Sequence, residues 1–309
     1  MSVKSNVLKT LEERRGSYFS GEQLAEELQV SRSAVWKAIR QLEKEGYEIL
    51  ASTNRGYCLA EHTDLLSEEG IRMYLPQECR GVSIHVMQEA ASTNTVAKQA
   101  AAQGAQGGSL FVAEQQTAGR GRRGRSFVAV PGGTISMSLL IRPELAAEEA
   151  VLLTTAACVA VHRAIRAVTG IVTDIKWVND LYYQGKKVCG ILTEAVTDCE
   201  TGVVDSVVLG IGINFNIAPD QFPEELRDIA GALYDGIRRM PVTRNQLIAE
   251  VVAQIMRVAG DLRERTFLEE YRERSMLIGK HILVLSQQEP EAAVAVGISS
   301  SGGLEIALP

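Results

Sequence analysis

The chain has 309 residues, 46% apolar and 23% charged, with a net charge of −6. That length holds two or three domains with ordinary cores. The acidic balance excludes a protein built as a whole to coat nucleic acid or anionic lipid, so any such contact must come from a local patch.

The N-terminus, Met1–Lys9, is polar and lacks the apolar centre of a signal peptide. No apolar run approaches the ~20 residues of a membrane span, so no membrane association is expected. The five cysteines (Cys58, Cys79, Cys158, Cys189, Cys199) are odd in number and form no Cys-x-x-Cys pair. They fit reduced thiols in a cytoplasmic protein. His62, His85, His162 and His281 are isolated, so no protein-borne metal site is expected.

Residues 1–62 carry three short helical patterns. The first has Val7, Leu8 and Leu11 on one face and ends near Gly16. The second opens at Ser20, with Gln23 placed to complete a capping box. The third opens at Ser31, with Val35, Ile39 and Leu42 at helical spacing and Gly46 closing it. Only Gln29 and Val30 separate the second from the third, which is helix-turn-helix spacing. Such a unit puts the start of its second helix into the major groove. That assigns Arg32, Ser33, Trp36, Lys37 and Arg40 to DNA, with Lys44 as a further phosphate contact. Tyr47–Leu50 and Gly56–Leu59 predict a hairpin wing with Arg55 at its tip. Basic and acidic residues balance at nine each over residues 1–62, so a helical bundle for protein contacts competes with this reading. The basic residues gather on the third helix and the wing, which favours DNA.

Thr63–Leu75 reads as a linker and a short helix, and Val82–Gln88 as a strand. Ser92 in Ser92-Thr93-Asn94 opens an alanine-rich helix that stops at Gly104. It serves either as a plain N-cap or as part of a helix start open to a polar ligand. Ser109–Gln115 is a strand. The loop that follows, Gly119–Arg125, holds Gly119, Gly121 and Gly124 among Arg120, Arg122, Arg123 and Arg125. Glycine lets backbone approach a ligand, arginine forks bind anions, and the clustered charge predicts mobility until an anion arrives. A basic loop for nucleic acid is the competing reading. The next stretch, Thr134–Leu140, alternates as a half-buried strand, and a loop held between two strands favours a cover over a pocket. Ala146–Thr169 reads as a core helix.

In Ile175–Glu194, Gln184-Gly185 predicts a hairpin turn. Lys187 lies in an otherwise apolar strand, where an inward lysine needs an anionic partner; a solvated lysine is the alternative. Asn179 and Asp180 either hold a magnesium-bound phosphate or cap a turn. Val203–Asn214 is a strand whose Gly210 and Gly212 leave space for a ligand or another backbone. Asp220–Gly236 and Thr243–Arg272 read as helices. His281–Leu285, Glu291–Gly297 and Gly303–Leu308 read as strands.

Ser92-Thr93-Asn94, the strand ending in Gln115-Gln116, the glycine-arginine loop, Lys176-Trp177-x-Asn179-Asp180 and Gly185-Lys186-Lys187-Val188 occur in one order. That ordered set resembles the biotin–protein ligases. With the helix-turn-helix in front, it resembles their bifunctional bacterial members, which also repress the biotin operon. The resemblance covers nearly the whole chain. It implies an α+β protein with a winged helix-turn-helix at 1–62 and a class II synthetase-like mixed α/β ligase domain at 63–272. A small C-terminal SH3-like β-barrel at 273–309 would stop a strand or two short.

The implied reaction joins biotin and MgATP into biotinyl-5′-AMP. The biotin then passes to a lysine of the biotin carboxyl carrier domain of acetyl-CoA or pyruvate carboxylase. Carried over by motif, Ser92, Thr93, Asn94 and Gln116 contact the biotin head. Arg120, Gly121 and Arg122 bind biotin and the adenylate phosphate. Lys187 neutralises the carboxylate, Lys176 and Asp180 assist ATP and magnesium, and Trp177 packs. Operator DNA and a ligand-promoted homodimer complete the implied partners. Val178 stands where the family usually has proline. Phe127 stands where tryptophan is common; it keeps a ring to stack on adenine but loses the indole N–H. A lipoate or octanoyl ligase of the same architecture is the runner-up, and a non-catalytic DNA-binding sensor of a small acid is the alternative from another class.

Overall fold

The structure is a computed structural model that describes residues 2–142, 150–197, 204–237, 241–285 and 290–308. Cys199 and the expected helical start at 146–149 lie outside the described residues. The chain divides into two compact units: Met1–Tyr74 with Ile237–Gln246, and Leu75–Gly236 with Leu247–Pro309. The first unit runs past the expected edge at 62 because Leu65 and Met73 pack on its core.

The first unit begins with α1 (Val3–Glu13), α2 (Gly21–Glu27) and α3 (Arg32–Lys44). Ser20 and Gln23 form the predicted capping box at α2, and Ser31 caps α3 through Ala34 N. Val7, Leu8, Leu11, Leu24, Val35, Ile39 and Leu42 meet in one core. The wing pairs β1 (Ile49–Ser52) with β2 (Gly56–Leu59) antiparallel, Ser52 opposite Gly56. Phe19 and Tyr57 exchange both backbone hydrogen bonds at 2.8 Å, which docks the wing on the helices. Gly56 permits this. Its φ is +94°, and a Cβ there would lie 2.0 Å from Phe19 O. The linker is tied to the same unit: Arg244 Nε donates to Asp64 Oδ2 at 2.9 Å, and Asn245 Nδ2 to Leu65 O at 2.8 Å. The short helix α4 (Glu68–Tyr74) follows it.

The second unit is built on a seven-stranded sheet. Its strands are β3 (Ser83–Ala90), β4 (Ser109–Gln116), β5 (Thr134–Ile141), β6 (Asp174–Lys176), β7 (Asp180–Tyr183), β8 (Lys186–Thr197) and β9 (Val204–Asn214), in the order β3-β4-β5-β9-β8-β7-β6. Only β3 and β4 are parallel. A parallel pair needs a crossover, and α5 (Thr93–Ala102) supplies it. Ala97 and Ala101 of α5 pack on Phe111, Leu140 and Val208. The helix α6 (Ala150–Thr169) packs on β7, β8 and α8 (Phe267–Glu273). Its Leu152–Thr169 stretch is long and apolar enough to cross a membrane, contrary to the expectation from the sequence, but 72% of it is buried inside the protein, as in a core helix.

Three expectations change. β5 is buried along its whole length, not half-buried, because neighbours cover both its faces. Asp220–Gly236 is not a helix. Pro219 and Pro223 confine it to two short 3-10 turns, Pro219–Gln221 and Glu224–Leu226. Beyond a further turn onto Leu226 O, its backbone bonds to the sheet: Lys187 N donates to Ile229 O at 2.8 Å and Gly231 N to Lys187 O at 2.9 Å. The expected helix Thr243–Arg272 is two, α7 (Arg244–Gly260) and α8, parted where Arg265 takes φ 61°. The three expected C-terminal strands form an antiparallel sheet of β10 (His281–Val284), β11 (Glu291–Ile298) and β12 (Leu304–Ala307).

Candidate active site

One cavity of about 440 Å³ opens on the second unit. Its floor is the start of α5 against the central strands. Ser92 is 3% exposed, sits at the N-cap with extended backbone, and makes no side-chain cap bond, so its hydroxyl is not spent on the helix. Gln116 Oε1 accepts from Thr93 N at 2.8 Å and Thr93 Oγ1 at 3.2 Å, which turns its amide nitrogen the other way. Ser138 Oγ lies 2.7 Å from Thr93 Oγ1 and 2.6 Å from Asn94 Oδ1. Asn94 Nδ2 donates to Leu192 O at 3.3 Å and Glu194 Oε2 at 2.7 Å. Glu194 is paired with Lys98 at 2.6 Å. Burial pushes the Glu194 carboxyl up, but the hydrogen bonds from Lys98 and Asn94, with the charges of Lys98 and Arg120, outweigh that and hold it below the ordinary carboxylate value.

The opposite wall carries the lysine. The Gln184-Gly185 turn has φ of 49° and 79°, the two left-handed residues of a tight hairpin, and sets β8 antiparallel to β7. Lys187 Nζ lies 2.6 Å from Asp180 Oδ1, so the lysine is inward and its protein partner is Asp180. The expected magnesium contact is thereby ion-paired. Among the described residues no group of three or more His, Cys, Asp or Glu side chains converges as a metal site. Asn179 ties its turn to β8: its Nδ2 donates to Ile191 O at 2.8 Å and its carbonyl accepts from Ile191 N at 2.9 Å. Val178, in place of proline, is buried with its carbonyl held by Tyr271 Oη at 3.1 Å, and the Trp177–Val178 peptide is cis. Trp177 packs at the rim and donates to Gly302 O at 3.0 Å. Lys176 is exposed over the Tyr182 ring.

The glycine-arginine loop forms the cover. It has a defined turn: Gly121 N donates to Arg125 O at 2.7 Å, Phe127 N to Gly119 O at 3.0 Å, and Arg123 takes φ 57°. Arg122 Nη1 donates to Asn179 Oδ1 at 3.4 Å. Arg120, Gly121, Arg122, Arg123 and Arg125 all line the cavity. Phe127 also lines it, with its ring on Gly212, where a Cβ would come within 2.4 Å.

The fold thus brings Ser92, Thr93, Asn94, Gln116, Arg120, Gly121, Arg122, Asp180 and Lys187 to one cavity. Lys98, Ser138 and Glu194 were missed. Glu194 stands in the hairpin stretch as an ionic residue in an apolar strand, the same signal that singled out Lys187.

In the first unit, Arg32, Ser33, Trp36, Lys37, Arg40, Lys44 and Arg55 are all exposed, those on α3 off its buried apolar face. Trp36 is 51% exposed beneath the Arg40 guanidinium, whose other contact is Glu43 at 3.0 Å. Arg55 at the wing lies 3.9 Å over the Tyr18 ring. Both pairs set a guanidinium on an aromatic ring, one on α3 and one at the wing.

The biotin/lipoate A/B protein ligase family matches residues 86–214, and a helix-turn-helix domain family matches residues 3–58. The bifunctional ligase/repressor BirA of Bacillus spizizenii is 41% identical over 232 residues, 75% of this chain and 71% of that protein. The bifunctional ligase/repressor BirA of Escherichia coli is 29% identical over 293 residues, 94% of this chain and 88% of that protein. The biotin protein ligase of Aquifex aeolicus in complex with biotin and ATP superposes with a TM-score of 0.59 at 27% identity, covering 74% of this chain and 96% of that one.

Proposed function

The chain belongs to the family of bifunctional biotin ligase/repressors, and from that membership we propose how its own residues carry the two activities. The protein is a biotin–[acetyl-CoA-carboxylase] ligase that uses ATP, and a DNA-binding repressor. In the first step a biotin carboxylate oxygen bonds to the α-phosphorus of ATP as the bond to the β-phosphate oxygen breaks and pyrophosphate leaves. In the second, a lysine amine of a carrier domain attacks the anhydride carbonyl, AMP leaves, and the amine loses its proton. Neither step needs a covalent bond to the enzyme, so the chain's work is positioning and charge neutralisation.

Ser92, Thr93, Asn94 and Gln116 hold the ureido ring. The free edge of Gln116 is a donor, Asn94 offers its oxygen, and the Ser92 hydroxyl serves either way. A cyclic urea has two N–H groups and one carbonyl to meet them, whereas a dithiolane has neither. Met137, Ile191 and Leu192 give the cavity its apolar side. Lys187 neutralises the carboxylate, exchanging part of its pairing with Asp180 for the substrate. Arg120 and Arg122 take the phosphate, Gly121 lets the loop backbone close on it, and Lys176 approaches the leaving pyrophosphate. Magnesium enters with ATP as part of that substrate.

The observation that carries this reading is that the polar start of α5, Lys187 and the arginine loop line a single cavity. ATP–pyrophosphate exchange with labelled pyrophosphate tests it. Exchange is expected with biotin. Exchange with lipoate alone would make the protein a lipoate ligase, and exchange with neither acid would make it a sensor.

The α3 surface and the wing bind operator DNA, with base edges read from the start of α3. A two-fold operator demands two copies, so operator binding is by a homodimer that the adenylate promotes. Sedimentation with and without biotin and ATP checks this; a monomer under both conditions that still binds operator tightly would overturn it.

A further inference from the structure

We propose that Glu194, clamped by Lys98, is a positioning residue that fixes which way round the Asn94 amide sits, and so sets the preference for a cyclic urea over a dithiolane. The proposal rests on the biotin reading above. An asparagine amide has two donors on one end and an acceptor on the other, and its two orientations fill nearly the same space. What decides between them is what surrounds it. Here the nitrogen faces two obligate acceptors, Glu194 Oε2 at 2.7 Å and Leu192 O at 3.3 Å. A carboxylate and a carbonyl cannot donate, so the reverse orientation would set oxygen against oxygen in a buried site. The oxygen therefore lies by Ser138 Oγ at 2.6 Å and against Gly210, where a Cβ would be 2.0 Å away. With one lone pair on Ser138, the other remains for a ligand N–H.

Glu194 can do this only while ionised. A protonated carboxyl could donate to Asn94 and permit the flip. Lys98 Nζ at 2.6 Å from Glu194 Oε1 keeps the charge, and the loop's Arg120 adds to it. Gln116 is fixed by the same logic from the other side, since the Thr93 backbone N–H, 2.8 Å from its oxygen, can only donate. The acceptor and donor offered to the ligand are thus both dictated by groups outside it. Lys98 and Glu194 lie on α5 and β8, far apart in sequence, and neither is in the lining of the cavity.

The test uses the full chain and steady-state adenylation with biotin and with lipoate, comparing wild type, Glu194→Gln and Lys98→Met. Gln keeps the shape of Glu but can turn a donor to Asn94. The expected result for Glu194→Gln is a rise of about tenfold or more in KM for biotin with a much smaller change in kcat, and a narrower gap between biotin and lipoate. For Lys98→Met the rise is smaller and grows as pH is lowered, because the carboxylate loses its clamp, while wild type stays level over the same range. A merely structural role would lower thermal stability and leave both the KM against kcat split and the pH profile unmoved. Wild-type KM in a folded Glu194→Gln protein overturns the proposal. If that variant does not fold, a pH-independent KM in Lys98→Met overturns it instead. Failure of wild type to adenylate biotin is a different outcome and removes the reading of the site itself.

Discussion

Lys187 reaches Asp180 across Gly190. In the β7–β8 ladder Asp180 is opposite Gly190 and Lys187 is opposite Tyr182, yet Nζ and Oδ1 are 2.6 Å apart. The lysine stem lies along the strand over the one position without a side chain, and a Cβ on Gly190 would sit 3.2 Å from both Lys187 Cε and Nζ. The missing side chain thus gives the ammonium its path.

Lys187→Ala removes the cation that meets the biotin carboxylate and leaves Asp180 in its place. The side chain is 32% exposed, so the loss falls between that of an exposed and a buried pair. The adenylation barrier should rise by about 2–3 kcal/mol, a loss of near a hundredfold in biotin-dependent exchange. The melting temperature should hold within a few degrees. Unchanged exchange would mean that the lysine serves only Asp180.

Gly190→Ala is a finer probe. The added methyl meets the flexible end of a lysine and not backbone, so the sheet should tolerate it at about 1 kcal/mol or less. The ammonium must shift by a few tenths of an ångström. KM for biotin should rise several-fold, and thermal denaturation beside the exchange assay separates the two effects. A variant with wild-type KM would show that the carboxylate site tolerates this displacement.

Much of the cavity was legible because its groups cluster in sequence: Ser92-Thr93-Asn94 at a helix start, seven residues of glycine and arginine between strands, and a lysine out of place in an apolar strand. The network behind them was not. Asn94 meets Ser138 and Glu194 only through the β5–β9–β8 register, and no local pattern encodes which residues of three strands lie side by side. The segment Asp220–Gly236 misled for a related reason. Two prolines and backbone bonds to Lys187 and Asn214 decided its shape. Tertiary pairing overrode local preference there.

Removing residues 1–62 should abolish operator binding and leave ligation, since every residue of the cavity lies beyond that point. The cut also strips Leu65 and Met73 of the core they pack on. Exposed apolar surface then lowers solubility, so the truncated enzyme should aggregate more readily while its exchange rate per folded molecule persists. Specific operator binding by the truncated chain, read by gel shift, would remove the helix-turn-helix assignment.

Glu194 predicts a pH dependence with a definite sign. Its folded-state carboxyl lies below the ordinary value of 4.5. The contribution to stability is therefore present above that value and is lost as pH falls through the lower folded-state value. Urea midpoints of wild type and Glu194→Gln should differ most near neutrality and converge in acid below that ordinary value. A gap that stays constant into acid would show that the carboxylate's charge contributes nothing to the fold.

The last prediction concerns Arg122. Its guanidinium ties the loop to Asn179, which itself bonds to the interior of the Lys187 strand at Ile191. Arg122→Gly removes that tie and one positive charge, and glycine adds backbone freedom worth about 0.5–1 kcal/mol against closure. Neither Lys187 nor the α5 floor is touched, so the adenylate should still form. What weakens is the cover that keeps water and stray amines from the anhydride. The adenylate should leave several-fold faster, and unrelated proteins in the mixture should be labelled on exposed lysines. Incubating the variant with MgATP, biotin and a lysine-rich bystander measures this directly. Labelling confined to the carrier domain, with a wild-type adenylate off-rate, would mean that the loop does not clamp the intermediate.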